Sequence, residues 1–398
     1  MLVTDAAYDI LSVADVARYV RGRAELAALV DPDTLTVREV GDGNLNLVFV
    51  CRDDHGRSLV LKQSLPYVRA AGPTWPLTAD RSHAEARGLR AAAEASPSTS
   101  PRLFGYDSEQ HVLAMEDLSD LTVLRTALNR GGRASDAVAD CGRHVARLVF
   151  HTGRLTNTPA AHRDAAARAT NRAMCDITEA LVFNEPFVDH ANNRFVDALG
   201  PQVRALRSDV DARREVARLE QCFIDRPEAL VHGDLHTGSV MVGVAADGTR
   251  VTKVIDPEFC FYGPAAFDLG TLLANVTFAA TRAHCLGDDV QRRWLDTLPT
   301  ELWHAFTDEF WILWPQRSTA MPSTWPSTEA QASAWLDTVA RDAVGFAGCE
   351  TVRRVVGFAK VSDIETLEAD EHVAAATIAL GTARRWLTSP ASLTSSAS

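Results

Sequence analysis

Three short stretches of this sequence place acidic or basic side chains where an apolar run breaks. In Val231-His232-Gly233-Asp234-Leu235-His236 a turn presents one carboxylate between two histidines. Ile255-Asp256-Pro257-Glu258 closes a β-prone run with two more carboxylates, and Lys62 ends the apolar run Leu59-Val60-Leu61. Phosphoryl transfer needs one carboxylate to orient and deprotonate the attacking hydroxyl, and others to hold Mg²⁺ against the phosphates of ATP. Asp234 suits the first task as catalytic base, and Asp256 with Glu258 suits the second as metal ligands. In an extended chain positions i and i+2 point to the same side, so both carboxylates are expected to reach one hard cation. A lysine in a buried strand needs an anionic partner. Nucleotide phosphates and Glu85, on the helical stretch that follows, are the expected ones. Either acidic segment alone reads equally well as a pair of turn and cap acids, because Asp is common beside Gly and Pro. It is their combination with Lys62 that favours chemistry.

Other signals are weaker alone. Gly41-Asp42-Gly43-Asn44-Leu45-Asn46 lies between two β-prone runs. Its glycines let backbone approach phosphate, although Gly/Asn/Asp clusters are also ordinary hairpin chemistry. Arg353 and Arg354 stand between Val352 and Val355-Val356. Consecutive helix positions point about 100° apart, so one of two such arginines is ordinarily solvated; in an apolar segment, however, an arginine wants an anion. His232 and His236 have the i, i+4 spacing of a metal pair, but ordering the Asp234 loop is the better reading. No Gly-x-x-x-x-Gly-Lys-Ser/Thr stretch is present, which disfavours the P-loop folds.

The elements that must position these residues fall into two textures. The opening third reads as strands with one helix: Thr36–Val40, Leu45–Cys51, Ser58–Gln63 and Gln110–Met115 are β-prone, and Ala79–Ala95 is helical. Beyond Leu121, long helical segments such as Cys141–Phe150 and Phe195–Phe223 dominate, interrupted by a hairpin over Ser239–Val244 and Arg250–Ile255. Six of the eight tryptophans lie between Trp294 and Trp335, where they read as core anchors of a helical region. The expected organisation is an α+β chain with a strand-rich N-terminal lobe over 1–117, a larger helical lobe over 118–386, and a disordered tail over 387–398.

A net charge of −12 argues against a nucleic-acid or anionic-membrane partner, both of which need a broad basic face. No apolar run has the length of a membrane span, and the first seventeen residues contain no Lys or Arg, unlike a secretory signal. Seven cysteines without a CxxC fit reduced thiols in a cytoplasmic protein.

The order glycine loop, strand lysine, helix glutamate, connector, Asp loop and metal acids is that of the protein-kinase-like fold. His232–His236 and Asp256 resemble the catalytic and metal loops of its aminoglycoside and choline kinase branch. The sequence is further similar to the S-methyl-5-thioribose kinase family over several motifs. They are Gly41–Asn46, Leu61-Lys62-Gln63, Leu65–Arg69, Trp75-Pro76-Leu77-Thr78, His232–Ser239, Asp256–Phe259, Phe261–Pro264, Gly345–Glu350 and Arg353-Arg354. The resemblance implies a nucleotide site in which Gly41, Gly43 and Asn44 approach phosphate, Lys62 holds the α/β-phosphates, and the backbone at Glu116 and Leu118 receives adenine. It implies that Arg353 and Arg354 face the sugar and the transferred phosphoryl group, with Trp75 on a mobile loop beside them. It also implies a homodimer that uses ATP and Mg²⁺ to make S-methyl-5-thioribose 1-phosphate in methionine salvage. Ser239 stands where most kinases of this fold place an amide ligand for a second metal, which leaves open how such an ion is held. Two other readings keep the fold. One changes the acceptor to a 5-deoxyribose-type sugar, an aminoglycoside or an amino alcohol; the other makes the chain a non-catalytic nucleotide-binding regulator.

Overall fold

Lys62 lies on the central strand of a five-stranded antiparallel sheet. In the computed structural model, which describes residues 8–41, 45–69, 72–134, 136–245, 247–317 and 326–389, the sheet order is β1-β2-β3-β5-β4. The strands are β1 (Thr36–Glu39), β2 (Asn46–Arg52), β3 (Ser58–Ser64), β4 (Leu103–Asp107) and β5 (Val112–Met115). Strand β3 is covered on both faces, which explains its run of apolar residues rather than an alternation. One face packs against the helix Arg81–Ala95. The other receives the helix Val13–Arg21, whose Val16, Tyr19 and Val20 meet Phe49, Leu59 and Leu61.

That first helix is a correction, since the opening third was expected to hold only one. Its start is marked by Ser12 and Asp15, which form a reciprocal capping box. Strand β4 is a second addition, an edge strand whose half-buried residues give no clean period. The expected helix over Phe195–Phe223 is in fact two, Gly200–Ser208 and Val210–Asp225. The break falls at Asp209, whose side chain accepts from the N–H groups of Asp211 and Ala212 and so starts a new helix.

The remainder is mainly helical, giving an α+β, protein-kinase-like architecture. Two small antiparallel sheets carry the loops that hold Asp234 and Asp256. In one, β7 (Ala229–Val231) pairs with β10 (Phe261–Gly263); in the other, β6 (Thr122–Val123), β8 (Val240–Val244) and β9 (Arg250–Val254) lie side by side. Behind them the long helices Ala265–Cys285 and Glu329–Val356 form the largest core with Ala137–Thr152 and Leu298–Leu313. Trp303, Trp314 and Trp335 are buried in it, and Trp335 stacks 5.3 Å from Phe310. The last helix runs Ala369–Thr388 and buries Leu387, so the expected start of the tail falls inside a packed helix; its apolar contact outweighs the Ser/Thr-rich texture. Residues 390–398 lie outside those described. All seven cysteines are free thiols. Among the described residues no helix is long and apolar enough to cross a membrane.

Candidate active site

The strand pair β7–β10 sets the spacing of the two acidic loops, because His232–Asp234 leaves β7 just where Asp256–Phe259 enters β10. Gly233 joins them closely. It adopts φ +82°, and a Cβ there would lie 2.4 Å from the carbonyl oxygen of Phe259. Only glycine meets both conditions. The His232 ring completes the tie, with Nε2 2.8 Å from the carbonyl of Ile255 and Nδ1 accepting from the N–H of Asp234. Both ring nitrogens of His232 are thus engaged in ordering the loop.

Asp234 sits at the meeting point of four basic or imidazole side chains. Arg353 Nη1 and Arg354 Nη2 approach its Oδ1 at 3.3 and 3.4 Å, and His236 Nε2 approaches Oδ2 at 3.4 Å. Burial alone would raise this carboxyl, but His236, Arg353, Arg354 and His232 more than offset it and hold it well below the usual carboxylate range. Burial, with help from Arg125 and the two arginines, pushes His236 down to about 3, so its imidazole is neutral. Ser239 Oγ lies 3.1 Å from His236 Nδ1 and donates to the carbonyl of Asp234. The hydroxyl therefore braces the loop.

Both arginines are buried, at 7% and 6% exposure, so neither is the solvated member expected of a consecutive pair. Their common anchor is Glu350, which accepts from Arg353 Nη1 at 3.1 Å and from Arg354 Nε at 2.5 Å. With Glu350 one turn earlier on the same helix, two long side chains that leave the axis in different directions bend onto one point. Sequence reasoning gave Glu350 no role. Its signal was a carboxylate just after the uncharged stretch Ala343–Cys349, i, i+3 and i, i+4 from two arginines.

Asp268 was missed as well. It accepts from the backbone N–H groups of His232 at 2.7 Å and Gly233 at 2.9 Å, and so fixes the Asp234 turn from the helix Ala265–Cys285. Arg125, also unassigned from sequence, braces the far side of the loop through Thr237 Oγ1 and Asn275 Oδ1.

On the strand-rich side, Lys62 is 3% exposed. Its ammonium donates to Glu85 at 2.7 Å and to Asp256 at 2.8 Å. Burial would depress this lysine, but Asp256, Glu85 and Glu258 together raise it above its ordinary value and keep it charged. Gly88, one turn beyond Glu85, is where the helix meets the second acidic loop: a Cβ there would lie 2.9 Å from Pro257. Any larger residue would force the helix and the Pro257 turn to shift apart.

The extended geometry expected at Asp256–Glu258 is not what the chain adopts. Asp256 has φ +62°, and Pro257–Phe259 form a single 3₁₀ turn. The i, i+2 argument therefore does not apply, because proline starts a turn here instead of continuing a strand. Glu258 is held by Asn46 at 2.9 Å and Arg81 at 3.2 Å, both through Oε2, whereas the Asp256 side chain is 45% exposed.

At the connector, Glu116 donates its N–H to the carbonyl of Arg102, and Leu118 accepts from Leu121. The Glu116 carbonyl and the Leu118 N–H are left without a partner among the described residues. Trp75 meets Phe358 in a tilted ring contact at 5.3 Å and packs with Val68, Leu77, Met174 and Phe259. Gly41 is exposed, with open space around it, while Gly43 and Asn44 lie outside the described residues.

The sequence profile of the phosphotransferase enzyme family matches residues 36–317. A methylthioribose kinase of Yersinia pseudotuberculosis is 38% identical over 374 residues, spanning 92% of this chain and 88% of the relative. One from Exiguobacterium sibiricum is 37% identical over 345 residues, spanning 87% and 85%. The chain belongs to the methylthioribose kinase family. It is a kinase, and the resemblance of Gly345–Glu350 and Arg353-Arg354 to that family falls where the structure gathers Glu350, both arginines and Asp234.

Proposed function

We propose that the chain transfers the γ-phosphoryl group of ATP to the 1-hydroxyl of S-methyl-5-thioribose, giving S-methyl-5-thioribose 1-phosphate. The observation that carries this reading is the convergence of Arg353 and Arg354 on Asp234, fixed from behind by Glu350. A carboxylate flanked by two guanidiniums suits an acceptor that is neutral on arrival and anionic on departure. A cationic aminoglycoside or amino alcohol would be repelled by the same pair.

In this mechanism Asp234 accepts a hydrogen bond from the sugar hydroxyl. Its carboxyl is a weak base, so the proton moves late, as the new O–P bond forms and the bond to the β–γ bridging oxygen breaks. Such timing fits a loose transition state in which the nucleophile is little engaged. Arg353 and Arg354 are already placed for the charge that spreads over the equatorial oxygens, which is where preset donors are most effective. Lys62, held by Glu85, meets the α/β-phosphates, and the Glu116 carbonyl and Leu118 N–H receive adenine, with the backbone at Gly41 near the phosphates.

Mg²⁺ fits the acids present. Asp256 keeps one oxygen clear of Lys62, Glu258 keeps one clear of Asn46 and Arg81, and hard oxygen donors of this kind bind Mg²⁺ together with substrate phosphates. When bound there, the ion neutralises charge on the β- and γ-phosphates. Trp75 and Phe358 offer an apolar wall for the methylthio group. A cytoplasmic homodimer in methionine salvage completes the proposal. An ATP-consumption assay across pentoses and their 5-thio and 5-deoxy analogues tests it. S-methyl-5-thioribose should be the best acceptor, and a preference for ribose or an amino sugar would overturn it.

A further inference from the structure

Asp80, His83 and His111 form a cluster away from the acidic loops. One potential ligand atom from each lies within 4.8 Å of the other two. Asp80 and His83 sit at the first turn of the helix Arg81–Ala95, i, i+3 from one another and so on one face. His111 comes from the turn between β4 and β5. We propose that these three side chains bind a first-row transition-metal dication of the Zn²⁺ type, which fastens the start of the Glu85 helix to the β4–β5 turn.

The surroundings of His111 are those of a prepared ligand. Its backbone holds φ +50°, uncommon outside glycine, and its carbonyl accepts from Ser64 at the end of β3. Its Nδ1 is 3.2 Å from Ser82 Oγ. That hydroxyl donates to the carbonyl of Ala79 and lies 2.9 Å from the Tyr106 hydroxyl. With its own proton committed, Ser82 accepts from His111 Nδ1–H, which leaves Nε2 with a free lone pair. Metal-bound histidines are oriented in this way, through a hydrogen bond from the nitrogen that does not ligate. Edge contacts from Tyr8 to His111 at 4.9 Å and from Tyr106 to His83 at 5.1 Å restrict both rings. Two imidazoles and one carboxylate suit Zn²⁺, Co²⁺ or Ni²⁺ better than Mg²⁺.

Such an ion would act on the active site through the helix. Arg81, between Asp80 and Ser82, holds Glu258, and Glu85 one turn on holds Lys62. The consequence is a stiffer first turn and not a new chemical step.

The test uses the full-length chain stripped with a chelator and titrated with Zn²⁺ in a large excess of Mg²⁺, which fills the hard-oxygen sites. Co²⁺ absorption reports imidazole ligation directly. One ion per chain is expected. Affinity should fall roughly 10–100-fold or more in His83→Ala and in His111→Asn, with the Co²⁺ bands lost. His83 is exposed on a helix, where alanine is well tolerated, and asparagine accepts the positive φ at position 111, so both variants should fold. Absence of binding in the unmodified chain, or unchanged affinity in either variant, would overturn the proposal.

Discussion

Glu350→Gln probes the scaffold of the site without touching any reacting atom. Glu350 is 2% exposed and is the shared partner of two buried guanidiniums. The amide is nearly isosteric but neutral. Its oxygen can accept from one arginine, whereas its NH₂ group opposes the donors of the other. Two positive groups would then face Asp234 as their remaining carboxylate. Breaking a buried ion pair by removing one member costs roughly 3–5 kcal/mol. One retained hydrogen bond places this change near the lower end, at about 3 kcal/mol. The kinetic effect is separate. Freed from their anchor, Arg353 and Arg354 should close on Asp234 and leave the positions from which they would meet the phosphoryl group. A displacement on the order of 1 Å in such a group costs roughly 100-fold. The turnover number should therefore fall about 10- to 100-fold, while the KM for ATP, set around Lys62, changes only a few-fold. Urea unfolding and steady-state kinetics on one preparation measure both effects. Turnover within twofold of the unmodified enzyme, in a protein of unchanged stability, would refute the account of the arginine pair.

Asp234→Asn should keep ATP binding and lose roughly 10²–10⁴-fold in turnover, checked by isotopic binding and initial rates. Asp256→Asn and Glu258→Gln should each raise the Mg²⁺ concentration for half-maximal rate, with the larger shift for the open Asp256; a normal Mg²⁺ dependence for Glu258→Gln would leave that residue a structural partner of Arg81. Burial pushes both His144 and His236 down to about 3. Below an unfolded value of about 6.5 the unfolded chain binds protons at these positions that the native chain does not, so stability should fall as pH drops from there toward about 3. Thermal midpoints across this range measure the slope, which His144→Gln should flatten; a midpoint that rises on acidification would contradict it.

The candidate site residues were visible in the sequence because their chemistry breaks local rules: a lysine in an apolar strand, a carboxylate in a glycine turn, arginines among valines. Their supports were not. Asp268 and Glu350 lie inside helices whose sequences look like ordinary core, and only the tertiary structure shows which backbone amides and guanidiniums they meet. The Asp256–Glu258 geometry was misjudged because Pro257 converts an extended strand into a turn, a local effect that outweighs the period-2 expectation. The helix Val13–Arg21 was overlooked because its buried face is only Val16, Tyr19 and Val20, although the Ser12/Asp15 box announced it. Asp209 divided a helix that looked continuous because a capping carboxylate resembles any other surface acid until the N–H groups that donate to it are known.

The central claim is a phosphoryl transfer to the anomeric hydroxyl, and phosphorus NMR of the product tests it most directly. With ATP, Mg²⁺ and S-methyl-5-thioribose, the account predicts a sugar phosphate whose phosphorus couples to the C1 proton, formed in step with ADP and absent with Asp234→Asn. Phosphate on any other carbon, or ADP released without a sugar phosphate, would contradict it.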